Sequence, residues 1–349
     1  MVPPILAEVI RGDTVESVHR GHVSVINGLG LEIASIGDPS IVTFFRSSAK
    51  PFQALPFILS GAADELGFTD DEIAMACASH SGEKMHTSIV ANMLERLKLS
   101  EKDLRCGVHM PFYEKEAERM LKVGETPTQL HNNCSGKHAA MLAMAKQMGA
   151  DISNYESPFN PVQKAILRSV SNFSGIPIGD IKCAVDGCAA PNFAISVSAM
   201  AQSFANLVNP ARFDEDIQNA CKRIVDAMIK YPKLIGGTER LDTMLMEAAP
   251  GKIVSKVGAD GVWLCGVLPS EKYPTGLGIA LKIEDGDDLN SRPVVAIELL
   301  RQLGLFAPDT LPDLSPMPIK NRRGDNVGEI AAVLKLESLQ PDPSVAGRG

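Results

Sequence analysis

A serine and a lysine three residues apart, Ser47 and Lys50, stand where an apolar strand pattern changes to a helical one. A serine hydroxyl becomes a nucleophile when a nearby base can take its proton. If a helix begins here, with Pro51 in its first turn, residues i and i+3 share one face, and the lysine amine could be that base. Burial or a second cation would lower the lysine pKa enough for this role. On spacing alone, a capping serine followed by an exposed lysine is the favoured interpretation.

Four further polar clusters interrupt apolar segments, at residues 78–83, 131–138, 186–191 and 255–261. Taken in order, the Ser47/Lys50 pair, a Ser-x-Ser loop that begins at Ser79 and a late strand that carries Lys256 follow the plan of penicillin-recognising acyl-transfer enzymes. Two departures from that plan stand out. The loop does not end in asparagine, and Val257 replaces the usual hydroxyl residue. The pattern therefore favours a relative with a different acyl substrate.

A second group of residues has the chemistry of a metal site. Cys134 and Lys137 are three residues apart at a predicted helix start, and Cys188 lies in a similar polar loop. Zinc prefers thiolate and nitrogen donors in a tetrahedral arrangement. A lysine ligand would have to bind as the neutral amine, and spacing alone favours buried structural cysteines. The other cysteines stand among apolar neighbours and are expected in the core: Cys77, Cys106, Cys183, Cys221 and Cys265.

The hydropathy pattern predicts a sheet, then a helical middle region, then sheet again. Residues 5–45 are predicted to form four short strands in an antiparallel meander, residues 47–250 to be mostly helical, with one helix at 191–206, and residues 252–284 to form strands. Strands from both ends could share one antiparallel sheet covered by the central helices, an α+β fold. We expect one catalytic domain over residues 1–339 and a loose tail over residues 340–349.

The composition is that of a globular protein that acts on small molecules. The chain has 349 residues, of which 45% are hydrophobic and 22% charged, with a net charge of -8, which argues against nucleic acid or an anionic membrane as partner. No apolar run reaches the length of a membrane span, and the N-terminal residues lack the pattern of a secretory signal. Seven cysteines, an odd number, suit reduced thiols, so we expect a cytoplasmic location.

Four segments together resemble the rhizobial-type L-asparaginases, the third structural class of these enzymes. They are residues 46–51, 79–83, 131–138 and 186–191, and the similarity extends from about residue 5 to about residue 335. The resemblance implies a fold similar to serine β-lactamases and penicillin-binding proteins, a homodimer, and hydrolysis of L-asparagine to L-aspartate and ammonia. The motifs leave the choice between asparagine and glutamine open.

The resemblance also implies roles for individual residues. Ser47 would be the nucleophile and Lys50 its base, and Ser79 with Lys256 would form a second Ser-Lys pair, with the nearby Lys252 as the alternative lysine. Other residues of the four segments would bind substrate or support the site: Arg46, Ser48, His80, Glu83, Asn133, His138 and Asp186. Arg46 could bind the substrate carboxylate or form a structural ion pair.

The same resemblance implies one zinc ion per subunit, held by Cys134, Lys137 and Cys188, with water in the open position. Such an ion could supply the nucleophile, hold the amino-acid end of the substrate, or be structural. A complete Ser-Lys pair favours the second role. Two alternatives from other classes remain: a zinc-water-dependent amidohydrolase in which Ser47 only binds substrate, and a non-catalytic sensor of the penicillin-recognising type.

Overall fold

The computed structural model describes residues 2–336, so the predicted tail at 340–349 lies outside the described residues. Most strands cluster towards the two ends of this range. They are β1 (Ile5–Arg11), β2 (Thr14–Asn27), β3 (Glu32–Ile36), β4 (Val42–Phe44), β5 (Lys182–Val185), β6 (Pro191–Ser196), β7 (Ile253–Val257), β8 (Val262–Val267), β9 (Leu277–Ile283), β10 (Met317–Lys320) and β11 (Asn326–Ala332).

Helices dominate the middle of the chain. They are α1 (Lys50–Leu59), α2 (Ala62–Glu65), α3 (Asp70–Cys77), α4 (Lys84–Arg96), α5 (Glu114–Val123), α6 (Ser135–Gln147), α7 (Pro161–Ser174), α8 (Val197–Val208), α9 (Glu215–Lys230), α10 (Pro232–Ile235), α11 (Leu241–Ala248) and α12 (Ser291–Gln302). In the part of the chain that the structure describes, no helix has both the length and the apolar character that crossing a bilayer requires.

The chain packs into two compact units. The sheet unit contains the described residues of 1–48, 195–209 and 245–349, and the helical unit contains residues 49–194 and 210–244. The assignment of residues 1–339 to one catalytic domain stays a prediction.

The sheet unit is built on an antiparallel sheet that takes strands from both ends of the chain. Its strand order is β10-β11-β1-β2-β9-β8-β7, and β3 also pairs with β2. Val23 lies opposite Leu281 in the β2/β9 pair, and Ser255 lies opposite Cys265 in the β7/β8 pair. Residues 21–27 of β2 are all buried, because α8 packs on β2, β8 and β9. Helix α12 packs on β1 and β11.

Helix α1 is the central helix of the helical unit. It contacts α3, α6, α7 and α9, and its residues from Lys50 to Phe57 are all buried. Phe52 contacts Phe173 of α7 with ring centroids 5.4 Å apart. Pro51 lies in the first turn, where its missing N–H removes no hydrogen bond of the helix. The polar start of α1 is therefore held inside an apolar helix cluster.

Helix α6 is buried on every side from Ser135 to Ala145, because α1, α3 and α4 surround it. Gly136 permits the closest approach, since a Cβ atom there would lie 2.3 Å from the carbonyl oxygen of Met75. The same helix carries Lys137 and His138 into this interior. Polar groups at such depth need partners within the protein.

The α+β class, the sheet from both chain ends and the helical middle region are confirmed. β10 and β11 extend the sheet beyond the expected residues 252–284. The expected four-stranded meander is wrong at its end, because β4 is not a strand of the sheet that contains β1, β2 and β3. The helix expected at 191–206 begins only at Val197, after the buried strand β6, where the Ser196 hydroxyl accepts the N–H of Ala199 at 3.1 Å. Cys183 is exposed on β5, whereas the other cysteines are buried.

Gly278 on β9 provides a test of the packing between sheet and helix. A Cβ atom there would lie 1.9 Å from the carbonyl oxygen of Ala201 on α8, so α8 would have to move. We expect Gly278→Ala to lower the free energy of unfolding by about 2 kcal/mol or more. Gly179→Ala, where no atom lies within 4 Å of the added methyl group, should change it by less than about 0.5 kcal/mol. Urea denaturation measures both, and equal stabilities would contradict the close approach.

Candidate active site

The turn that leads into α1 carries the two adjacent serines. A 3-10 helix over Arg46–Ala49 continues directly into α1. Ser48 is buried, and its hydroxyl donates a hydrogen bond to the carbonyl of Phe45, whereas Ser47 is half-buried. Arg46 has a positive φ of 53° and forms an ion pair with Asp260. Of the two roles left open for Arg46, the structure shows the ion pair.

Lys256 lies next to this turn within the sheet unit. It is fully buried on β7, and its Nζ donates to the carbonyl of Val257 at 3.1 Å. At Gly258 a Cβ atom would lie 3.0 Å from the carbonyl oxygen of Phe45, so the end of β7 and the turn before α1 run in close backbone contact. Lys252 is exposed. Burial therefore favours Lys256 as the second lysine.

Arg292 and Asp288 support the turn that follows β7, and the sequence motifs gave no sign of them. Arg292 is buried, and its Nη1 donates to the carbonyl of Gly258 at 2.6 Å and also pairs with Asp288. The Asp288 carboxylate accepts the backbone N–H groups of Asp260 at 3.1 Å and Gly261 at 2.8 Å. These bonds fix the residue that pairs with Arg46.

In the helical unit, Lys50 and Ser79 form a buried pair. The Lys50 Nζ donates to the Ser79 hydroxyl at 2.9 Å, to the Asn133 carbonyl at 3.1 Å and to the Ala78 carbonyl. Burial is the largest influence on the pKa of Lys50 and lowers it, and the nearby Lys137 acts in the same direction, whereas Cys134 and Cys188 oppose them without reversing the shift. A lysine in these surroundings gives up its proton more easily than one in water.

The loop from Ser79 to Glu83 is fastened at its far end by the Glu83 carboxylate. That carboxylate accepts the Ser81 hydroxyl at 2.7 Å, and the backbone N–H and the hydroxyl of Thr238 at 2.8 and 2.7 Å. Burial opposes ionisation of Glu83, but these hydrogen bonds outweigh it and lower its pKa. Gly237 has a φ of 111°, and a Cβ atom there would lie 1.8 Å from the Ser81 oxygen. Only glycine fits this contact.

His80 joins the same loop to the start of α6. Because Gly82 N–H donates to His80 Nδ1 at 3.2 Å, the proton lies on Nε2, which donates to the Ser135 hydroxyl at 2.9 Å. His80 stacks on His86 with ring centroids 5.0 Å apart, and burial lowers the pKa of both rings. His80 is therefore neutral, and its hydrogen bond to Ser135 holds the loop against the start of α6.

Cys134, Lys137 and Cys188 meet in the interior of the helical unit. Lys137 Nζ lies 3.1 Å from Cys188 Sγ, and the Cys134 thiol hydrogen bonds to the same sulfur. This thiol bond and the Lys137 charge lower the pKa of Cys188 to about 4. Burial opposes the charge on Lys137, but the Cys188 thiolate raises the pKa of Lys137. Cys188 is thus a thiolate, and the Cys134 thiol and the Lys137 ammonium stabilise its charge.

This donor set fits zinc. Two sulfurs and one amine nitrogen converge, and all three residues are buried. A metal ion would replace one proton of the Cys134 thiol and one of the Lys137 ammonium. In residues 2–336 no group of three or more His, Cys, Asp or Glu side chains is arranged to hold a metal. The ligands that the sequence resemblance implies are two cysteines and a lysine, which is a different donor set.

The remaining predicted residues lie around this cluster. Asp186 bonds the N–H of Gly187 at 2.8 Å in the loop before Cys188, and its charge raises the pKa of Lys137. His138 is fully buried, with its Nδ1 2.8 Å from the Tyr155 hydroxyl. Burial lowers the pKa of His138 to about 3.

With this geometry established, sequence comparison identifies the family. The sequence profile of the family described as L-asparaginase II matches residues 7–332. The chain belongs to the L-asparaginase II family. The protein is therefore a hydrolase that acts on amide bonds. A comparison with curated proteins gave no match.

Solved structures that are similar to this L-asparaginase II family member include a glutaminase and β-lactamases. A probable glutaminase from Bacillus subtilis, complexed with 6-diazo-5-oxo-L-norleucine, is 15% identical over 82% of this chain and 84% of that chain, with a TM-score of 0.38. A β-lactamase from Sphaerobacter thermophilus is 12% identical over 83% of this chain and 93% of that chain, with a TM-score of 0.43. At these TM-scores the similarities add no detail to the fold described above.

The Glu83 contacts predict a pH-dependent contribution to stability. We expect Glu83→Gln to lower the free energy of unfolding by about 1–2 kcal/mol at pH 7, because one donor then faces an amide NH₂. Since the folded pKa is below the usual value of 4.5 for a glutamate, the contribution is present above pH 4.5 and is lost as the pH falls through the folded pKa. Urea denaturation at pH 7, 5 and 4 measures this.

The control for this experiment is Glu95→Gln, at an exposed position of α4. Its difference from the unchanged protein should be small at neutral pH. A Glu83→Gln difference that stays constant as the pH falls below 4.5 would contradict the assignment of the Glu83 carboxylate as the charged acceptor.

Proposed function

We propose that the protein is an L-asparaginase that hydrolyses L-asparagine to L-aspartate and ammonia through a Ser47 acyl-enzyme. The observation that carries this proposal is the fully buried Lys50, one helical turn after Ser47, with its amine 2.9 Å from the Ser79 hydroxyl. An ordinary capping serine would be followed by a lysine in solvent. Membership of the L-asparaginase II family supports an amide as the bond that is cleaved.

In the first step, Ser47 attacks the carbon of the substrate's side-chain amide while Lys50 takes the hydroxyl proton. The tetrahedral intermediate collapses when the amide nitrogen receives a proton, and ammonia leaves the acyl-enzyme. Water then attacks the acyl carbon, and aspartate is released. Backbone N–H groups at the start of the helical segment that begins at Arg46 are suitable donors for the developing oxyanion.

Ser79 and Lys256 are proposed to move protons during this cycle. The hydrogen bond between Ser79 and Lys50 supports that role for the serine, because it links a hydroxyl to the amine that must gain and lose a proton. The full burial of Lys256 supports its assignment to the site, because a lysine is almost never fully buried without a partner.

We also propose that zinc binds to Cys134, Lys137 and Cys188. Its chemistry there would be to hold the amino-acid end of the substrate as a Lewis acid with one open position. Ser47 with Lys50 already forms a nucleophile and base, which is why we assign the ion to substrate binding. The homodimer and the cytoplasmic location stay predictions.

The adjacent serines allow a matched test of the nucleophile. We expect Ser47→Ala to lower kcat for ammonia release from asparagine by about 10³-fold or more, because no other group can form the acyl-enzyme. Ser48→Ala should keep at least about a tenth of kcat and lose stability, since its hydroxyl bonds the Phe45 carbonyl. Substantial turnover by Ser47→Ala would favour the zinc-water mechanism. No ammonia release by the unchanged protein would favour the sensor.

Two cysteines five residues apart test the zinc proposal. We expect Cys188→Ala to lose zinc, measured by elemental analysis, and to show a raised KM with at least about a tenth of kcat at saturating asparagine, because the proposed ion binds substrate. Cys183→Ala, at an exposed position of β5, should keep its zinc and its KM. Loss of kcat in a folded Cys188→Ala protein would contradict the substrate-binding role, and full zinc content would contradict the ligand set.

A further inference from the structure

We propose that His109 is a positioning residue for Lys50, acting through the backbone of Asn133. This inference rests on the proposed role of Lys50 as the base. It adds a residue from the segment between α4 and α5, outside all the polar clusters that the sequence motifs define.

The contacts form a short chain from His109 to the lysine. The N–H of Asn133 donates to His109 Nε2 at 2.9 Å, and the carbonyl of the same residue accepts the Lys50 Nζ at 3.1 Å. His109 Nδ1 lies 2.7 Å from the carbonyl of Met110. Each end of the imidazole therefore meets a backbone group.

These two backbone groups determine the state of the ring. A peptide N–H can only donate and a carbonyl can only accept, so Nε2 is the acceptor and Nδ1 carries the proton. The Asn133 Oδ1 also lies 3.4 Å from Nε2, a longer contact than the 2.9 Å of the backbone N–H. These contacts define a single tautomer for His109. In this state it holds the Asn133 N–H, and with it the orientation of the residue whose carbonyl receives the lysine.

Further contacts fix the position of the imidazole. His109 stacks on Phe112 with ring centroids 4.5 Å apart and an angle of 12° between the ring planes. The guanidinium of Arg240 lies over the other aromatic ring of this stack, 5.5 Å from the Phe112 centroid. The His109 ring is therefore held by stacking as well as by contacts at both nitrogens. Such restraint suits a residue that must fix the position of the Asn133 backbone.

The position of Asn133 explains why a small movement there would matter. It directly precedes Cys134, whose N–H bonds the Asn132 side chain at 2.9 Å. The N–H and the carbonyl of Asn133 lie on the two peptide groups that flank its Cα. If the N–H loses its acceptor, the backbone angles of Asn133 are no longer fixed, and the carbonyl would move away from Lys50. A displacement of about 1 Å in a catalytic group can lower a rate about 100-fold.

The test compares three replacements of His109 in the full chain. Phe keeps the ring and the stack on Phe112 but has no acceptor. Gln can place an amide oxygen near the position of Nε2, whereas Asn reaches only the position of Nδ1. We expect His109→Phe and His109→Asn to lower kcat for asparagine by about ten- to 100-fold, with KM changed by less than about threefold. His109→Gln should recover kcat to within about threefold.

His22→Phe is the control for the loss of a backbone acceptor. His22 Nδ1 accepts the N–H of Asp38 at 2.9 Å in the sheet unit, so this variant loses the same kind of bond. We expect it to lower the melting temperature and leave kcat unchanged. A merely structural role for His109 would give that same result.

Each outcome decides the proposal. Unchanged kcat in His109→Phe overturns it, as does equal loss in His109→Gln and His109→Asn. If His109→Phe does not fold, the Gln and Asn variants, both polar, decide alone by the same criterion. Failure of the proposed function would be seen separately, as turnover by Ser47→Ala.

Discussion

The burial of one ammonium group, that of Lys50, is the constraint on which the candidate site depends. An isolated charge in the protein interior is strongly destabilising, so it must be solvated by protein groups or lose its proton. The amine donates to two backbone carbonyls and the Ser79 hydroxyl, and the Cys134 and Cys188 sulfurs lie close enough to favour its charge. They stabilise the ammonium only in part, which leaves its pKa lowered by burial. Lys50 is therefore suited to take a proton as a base and to release it again.

The charges near Lys50 explain why it, and not Lys137, is suited to proton transfer. Both lysines are buried in the helical unit. Lys137 faces the Cys188 thiolate, which raises its pKa, whereas burial lowers the pKa of Lys50. Two lysines of similar depth thus acquire opposite properties from their neighbours. This division supports a base at one position and a metal ligand at the other.

Local pattern predicted much of the fold and the polar clusters, but it could not predict contacts between distant segments. β1, β2 and β7 to β9 were found because turn residues bound short apolar runs. β6 lies where the pattern predicts helix, because a strand with five of its six residues buried shows no alternation. His109 and Thr238 were missed for another reason. Their partners, Asn133 and Glu83, are 24 and 155 residues away, and no spacing in the sequence marks such pairs.

Arg46 shows how the structure resolves a choice that the sequence left open. A residue other than glycine with positive φ carries a strain of about 1–2 kcal/mol, so something must hold Arg46 there. The ion pair with Asp260 does so, and Asp288 in turn fixes Asp260 through its backbone N–H. The strained residue directly precedes Ser47, and strain of this kind concentrates at functional sites. Its side chain is therefore engaged in shaping the turn that presents the serine, which argues against its use as the substrate's carboxylate ligand.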